Sequence, residues 1–181
     1  VVLQGRFQCP ARDGADGRED RTSPTACRKY AGLLPWTTLG IRGTDGWSRR
    51  LRYAVASPYV QPISLAVIGE KASLADGAID IRTRNGDGAE LSLTTDGGRT
   101  PVVILSHGAN GLGATDQDGN PLAAPSAGSD EARNAGGDGK LFYSRTLSEN
   151  PSTAGGAFDD RVSWLSPNLI AHRLISAGRL P

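Results

Sequence analysis

The sequence predicts an α+β domain with antiparallel strands through its middle, long glycine-rich loops between them and a helix at the C-terminus. Three observations predict it. Residues 79–83 and 90–94 alternate apolar and polar side chains on either side of Asn85-Gly86-Asp87-Gly88, which is the pattern of a β-hairpin. The run from Pro101 to Ser106 is apolar without alternation, as expected of a strand buried on both faces. Near the end, Ser166 and Pro167 precede Leu169, Ile170, Leu174 and Ile175 at helical spacing, and Gly178 follows as a stop signal.

The remaining elements follow in chain order. Residues 1–46 are dominated by Gly, Pro, Asp and Arg and hold no sustained period, with Val1 to Leu3 read as the frayed end of a helix that begins upstream. Leu51 to Val55 alternates as a strand, and the same alternation puts Arg50 and Arg52 together on a solvated face. Ile63 to Ile68 is apolar and bounded by Pro62 and Gly69, which reads as a further strand. In the hairpin, Asn85-Gly86 is expected to supply the positive φ angles of a tight turn. Residues 108–139 read as almost pure loop, with Asp116, Asp118, Asp130, Glu131 and Asp138 scattered among glycines. A loop of that length in a compact domain is either functional or disordered. Leu141 to Tyr143 reads as a short strand, and the C-terminal helix is expected to pack on the sheet by its Leu and Ile face. No repeat or linker divides the chain, so residues 1–181 form a single domain.

Composition excludes some function classes. Twenty basic and nineteen acidic residues leave a net charge of +1, so no nucleic-acid or anionic-membrane footprint is expected. The longest apolar runs are far short of the ~20 residues that span a bilayer. The chain starts at Val1 and contains no Met, which reads as a processed or trimmed product with a missing N-terminal segment. Cys9 and Cys27 are the only cysteines and lie in a turn-rich stretch. An even count there reads as one disulfide in an exported protein, the alternative being two unpaired thiols.

Several residues carry candidate chemistry. Asp13, Asp16, Glu19 and Asp20 form one acidic stretch, and Asn110, Asp116, Asp118 and Asn120 another; both suit calcium, which takes six to eight oxygens, and both also suit ordinary turns. Ser106 and His107 invite a hydrolase reading, but neighbours on a strand point to opposite faces and no Gly-x-Ser-x-Gly elbow is present. His172 falls on the C-terminal helix as a structural residue. No catalytic residue is assigned, and the chain is read as non-enzymatic. Trp36, Trp47, Trp164 and Tyr53 read as packing or as a ligand platform, with Trp47 and Tyr53 on one face if the strand is unbroken. That leaves a secreted binding module or adhesin as the main alternative function, and a small hydrolase using Ser106 and His107 as the weaker one.

Three ordered motifs carry a resemblance. Asp45, Trp47 and Tyr53 match positions one, three and nine of an Asp-Pro-Trp-Gly-x-Pro-Tyr-x-Tyr segment, from which Gly46, Ser48, Arg50 and Leu51 depart. Ser106, Gly108, Ala109 and Gly111 match a Ser-Tyr-Gly-Ala-Asp-Gly segment in which His107 and Asn110 are substitutions. Asp160, Val162 and Trp164 approximate a final Asp-Ile-x-x-Trp. In this order the motifs resemble the globular half of a type IV pilin-like subunit, closest to the calcium-binding pseudopilins of type II secretion. The resemblance covers residues 45–165, with large insertions. Arg6 to Pro10, Leu34 to Gly40 and the Pro167-Asn168-Leu169 helix ending in Gly178-Arg179-Leu180-Pro181 are similar to a subgroup of exported bacterial pilin-like proteins.

The resemblance implies a pilin-like fold, with an N-terminal helix, mostly missing here, packed on an antiparallel sheet. It implies a structural subunit, a minor pilin or pseudopilin, of a type IV pilus or type II secretion pseudopilus. The implied partners are other pilin or pseudopilin subunits and the inner-membrane assembly machinery, with membrane contact only through the missing helix. The implied location is the inner membrane and periplasm, then a cell-surface filament. Calcium is the implied cofactor, with Asp116, Asp118 and Asp160 as its ligands, and Asn110 in place of the family's Asp weakens that site by one carboxylate.

Overall fold

A computed structural model describes residues 2–3, 5–64, 67–68, 78–94 and 100–179. The chain is α+β. Its main sheet is built from β5 (Ala31–Leu33), β6 (Arg52–Val55), β9 (Val102–Ser106) and β11 (Arg161–Leu165) in the order β11-β9-β6-β5, every pair antiparallel. A second sheet has β10 (Leu141–Tyr143), β7 (Asp80–Arg84) and β8 (Glu90–Ser92) in the order β10-β7-β8, and its β10–β7 pair is parallel. Two small hairpins precede them, β1 (Val2–Leu3) with β2 (Arg6–Phe7) and β3 (Arg21–Ser23) with β4 (Ala26–Cys27). The helices are α1 (Trp36–Leu39), α2 (Asp130–Ala135) and α3 (Pro167–Ser176), with a 3₁₀ turn at Ser57–Val60.

The apolar run at β9 forms a central strand as expected, and Val102, Val103 and Leu105 are buried in one core with Tyr53, Ala54 and Val55 of β6. Phe7 and Tyr59 meet edge to face in the same core, with centroids 6.3 Å apart. Cys9 and Cys27 are joined by a disulfide within that core. Closing a loop of their 18-residue separation stabilises by about 3 kcal/mol in the chain-entropy picture.

Helix α3 begins as its sequence indicates, the Ser166 hydroxyl accepting the Leu169 N–H. It ends with Gly178 N–H on the Ile175 carbonyl and Arg179 N–H on that of Leu174, a Schellman closure. Its packing face is narrower than expected. Ile170 is buried and Leu174 packs against the core, whereas Leu169 and Ile175 are exposed.

Four expectations about secondary structure are corrected. Val2 and Leu3 are not helical but pair as β1 with Phe7 and Arg6, which seats Phe7 in the core. Val67 and Ile68 are helical rather than extended, because the Ser64 hydroxyl caps the Val67 N–H and the Ser64 carbonyl takes that of Ile68; the residues at 65–66 of that expected strand lie outside the described residues. The β7–β8 hairpin exists, but its positive φ falls at Gly88 (82°), not at Asn85 or Gly86. Asn85 contributes its side chain instead, Oδ1 accepting the N–H of Asp87 and of Ala89. The fourth correction is α2, a short helix inside the stretch read as loop, capped by Ser129 with Asp130 and Glu131 in its first turn.

The basic cluster is not a solvated face. Arg49 donates to the carbonyls of Gly108 and Ala109, Arg50 to that of Gln117, and Arg52 to that of Gly136. The guanidinium of Arg50 also lies 3.9 Å above the Trp36 ring. Three arginines within four positions therefore fasten the glycine-rich stretch 108–136 to the sheet.

Candidate functional site

The end of β9 gathers all three motif segments. The Ser106 hydroxyl donates to Asp45 Oδ2 at 2.6 Å, and Asp45 Oδ1 accepts the N–H groups of Trp47 and Arg49. Asp45 thus holds its own turn closed and moors it to the strand. Ser48 at the tip of that turn has φ 62°, and Trp47 projects from it, 48% exposed. Tyr53 is fully buried with its hydroxyl on the Gln8 carbonyl, so the two aromatics do not share a face. Trp36 is walled in by Gly17, Gly43 and Arg50, a Cβ at Gly17 falling 2.0 Å from its ring. Trp36 and Trp47 therefore form no common platform.

Beyond Ser106 the chain turns sharply at Gly108, φ 58°. A Cβ there would lie 2.3 Å from Asp159 Oδ1, so only glycine lets the backbone pass this close to the segment before β11. The Asn110 N–H donates to Asp159 Oδ2 at 2.8 Å, and its amide donates to Glu131 Oε1 at 3.0 Å. Glu131 Oε1 also accepts the Asp159 N–H at 2.9 Å. Asp160 Oδ2 accepts from the Asn134 amide at 2.8 Å. Asn134 bonds the Tyr143 backbone on both sides, donating to its carbonyl and accepting from its N–H.

Glu131, Asp159 and Asp160 form a group of carboxylates whose oxygens lie within 4.8 Å of one another and can hold a metal ion. Glu131 is 2% and Asp160 4% exposed. Burial pushes the Glu131 carboxyl above its ordinary value; the Asn110 and Asp159 N–H bonds oppose that rise, and the neighbouring Asp160 and Asp159 charges add to it. His107, 3% exposed, faces the group with Nδ1 3.4 Å from Asp160 Oδ1. His107 Nδ1, Asp159 Oδ1 and Asp160 Oδ1 are buried and make no hydrogen bond. A hollow of about 510 Å³, lined by Asn110, Glu149, Phe158 and Asp159 among others, opens against this cluster.

Of the three expected calcium ligands, the fold brings only Asp160 into such a group. Asp116 sits in its own turn, Oδ1 accepting the N–H of Asp118 and Asn120 and Oδ2 the Asn120 amide; these bonds hold its carboxyl below the usual range. Asp118 is exposed beside it. Asp13, Asp16, Glu19 and Asp20 are likewise engaged with their own loop, by Ala15, Arg18, Cys9 and Arg28 respectively. Glu131 and Asp159 were not singled out by the sequence, although Ser129-Asp130-Glu131 carries a helix-start signal that would have placed Glu131.

Ser106 and His107 do not bond to each other, since the Ser106 hydroxyl is committed to Asp45 and to the Gly108 N–H. His172 is exposed on α3. Among the described residues no helix is long and apolar enough to cross a membrane. Compared with known proteins, the chain matches no family model, no curated protein and no solved structure.

Proposed function

We propose that this chain is a non-enzymatic structural subunit of the pilin-like class, a minor pilin or pseudopilin, whose globular domain is clamped at one end of its sheet by a bound cation. The observation that carries this reading is the meeting of its three resembling motifs. Asp45 bonds Ser106, Arg49 bonds Gly108 and Ala109, and Asn110 bonds Asp159, although these pairs are 61, 59, 60 and 49 residues apart. Segments that resemble one family in order also act on one another in space. Calcium is the ion the resemblance supplies, and the carboxylates of Glu131, Asp159 and Asp160 are its receptors in this reading. The subunit assembles through an apolar helix preceding Val1, passes from the inner membrane into a filament, and meets other pilin-like subunits and their assembly machinery. The adhesin reading is weaker because Trp36 is walled off, and the hydrolase reading because Ser106 is bound to Asp45.

The test uses the gene with the codons that precede Val1, expressed in its own cells. Recovery of the chain in a sheared filament fraction, cross-linked to other pilin-like subunits, supports the reading. Recovery only as a free secreted protein overturns it in favour of a binding module.

A further inference from the structure

The sequence holds two Asn-Gly pairs, Asn85-Gly86 and Asn110-Gly111, and the fold treats them in opposite ways. Such a pair can react with itself, because glycine has no Cβ to keep its backbone nitrogen from the carbonyl carbon of the preceding side-chain amide. At the second pair the reacting groups are committed. The Gly111 N–H donates to the His107 carbonyl at 3.0 Å, and the Asn110 amide donates to Glu131 Oε1 at 3.0 Å. Gly111 is also buried against the Arg49 guanidinium.

At the first pair the reacting groups are free and the carbonyl is activated. Asn85, Gly86 and Asp87 are exposed at the tip of the β7–β8 hairpin, and a Cβ on Gly86 would meet nothing within 4 Å. Among the described residues, neither the Gly86 N–H nor the Asn85 amide NH2 has a hydrogen-bond partner. Asn85 Oδ1, by contrast, accepts the N–H of Asp87 at 3.1 Å and that of Ala89 at 2.8 Å. The bond from Asp87 folds the side chain back over the intervening peptide, whose nitrogen belongs to Gly86. Both bonds aim fixed backbone dipoles at the oxygen where negative charge develops when Asn85 Cγ is attacked, as an oxyanion hole does.

We propose that Asn85-Gly86 is a self-modifying site at which the folded hairpin promotes deamidation. The Gly86 nitrogen gives its proton to water and bonds to Asn85 Cγ. The bond from Cγ to Nδ2 breaks, and ammonia leaves with a proton taken from water. Water then opens the five-membered succinimide at either carbonyl, leaving aspartate or isoaspartate in place of Asn85. Aspartate keeps the acceptor for Asp87 and Ala89 and makes both bonds charge-assisted. Isoaspartate routes the backbone through the side chain, which displaces the Asn85–Ala89 and Gly88–Asn85 backbone bonds that close the hairpin. Either product cancels the formal net charge of +1 and puts a carboxylate on the wall of a hollow of about 410 Å³ that Arg84 and Arg145 also line.

The experiment incubates the folded wild-type chain at mildly alkaline pH, beside the same chain unfolded in guanidinium, and follows amide-to-acid conversion by peptide mass spectrometry. Asn85 is expected to convert first, and faster in the folded chain than in the unfolded one, while Asn110 converts only after unfolding. Gly86→Ala, whose Cβ enters open space, should fold normally and slow conversion at Asn85 by about tenfold or more. Conversion of Asn85 no faster when folded than when unfolded overturns the proposal. So does conversion of Asn110 as fast as Asn85 in the folded chain, or an unchanged rate in Gly86→Ala.

Discussion

The hydroxyl of Ser106 and the carboxylate of Asp45 meet at 2.6 Å across 61 residues of sequence, and that contact joins an exposed turn to the end of the central strand. Its acceptor is a carboxylate oxygen and its donor is buried, so the bond belongs to the stronger class. Ser106→Ala is expected to destabilise the domain by about 1.5–3 kcal/mol, and Asp45→Ala by more, because the turn also loses its bonds to Trp47 and Arg49. Urea unfolding followed by tryptophan fluorescence checks both. A neutral Ser106→Ala would mean the contact is incidental.

Gly108→Ala should be worse than its single methyl suggests. The left-handed backbone and the 2.3 Å approach to Asp159 both oppose a Cβ, so the loss should exceed about 1 kcal/mol. The same variant should push Asp159 out of the carboxylate cluster. A lowered melting temperature together with a lost metal response is the expected pair of results.

Asp130 is fully buried and shared between two guanidiniums, with both oxygens on Arg84 and Oδ2 also on Arg145 Nε at 2.8 Å. Asp130→Ala takes the carboxylate from Arg145 and leaves Arg84 with Glu90 alone as its carboxylate partner among the described residues, and about 3–5 kcal/mol of stability should go with it. Because Arg145 also stacks over Phe158, at 4.6 Å from its centroid, Arg145→Lys should not restore the wild-type value. Chemical denaturation of the two single variants and the double variant measures the coupling.

Glu90 and Tyr143 give a pH dependence of known sign. The Tyr143 hydroxyl and then Arg82 hold the Glu90 carboxyl below its ordinary value of 4.5. Its contribution to stability is therefore present above pH 4.5 and lost as pH falls through the lower, folded value. Glu90→Gln should be destabilising at pH 7 and indistinguishable from wild type at strongly acid pH. Tyr143 itself is pushed up to about 12 by burial and then by the Glu90 bond, so it ionises well after an ordinary tyrosine near 10. In a phenolate absorbance titration, Tyr143→Phe should remove this late step, and Glu90→Gln should move it part of the way back toward 10, burial remaining in place.

What was legible in the sequence is what short-range pattern encodes. Strand β9, the β7–β8 hairpin and helix α3 each carry a period or a cap within about ten residues, and each formed. Two- and three-residue strands such as β1 to β4 are too short to show any period. Ile63 to Ile68 misled because β-branched residues suit strands, while a single capping serine decided the local geometry at Val67. The candidate site was legible in part. Asp160 was visible through its motif, but Glu131 and Asp159 become neighbours only by folding over 28 residues, and nothing local to either announces it. The three arginines at 49, 50 and 52 looked like surface charge because their acceptors are backbone carbonyls, which no side-chain pattern reports.

Strand β10 lies at the margin of its sheet, and at Tyr143 the Asn134 amide satisfies both backbone groups, as a neighbouring strand would. That side chain is a plug. An incoming extended peptide finds no free donor or acceptor at this position and would have to evict an amide that also holds Asp160. Growth by strand addition is thus discouraged here, and loss of Asn134 would unseal the margin and loosen the corner that holds Asp160 in one stroke.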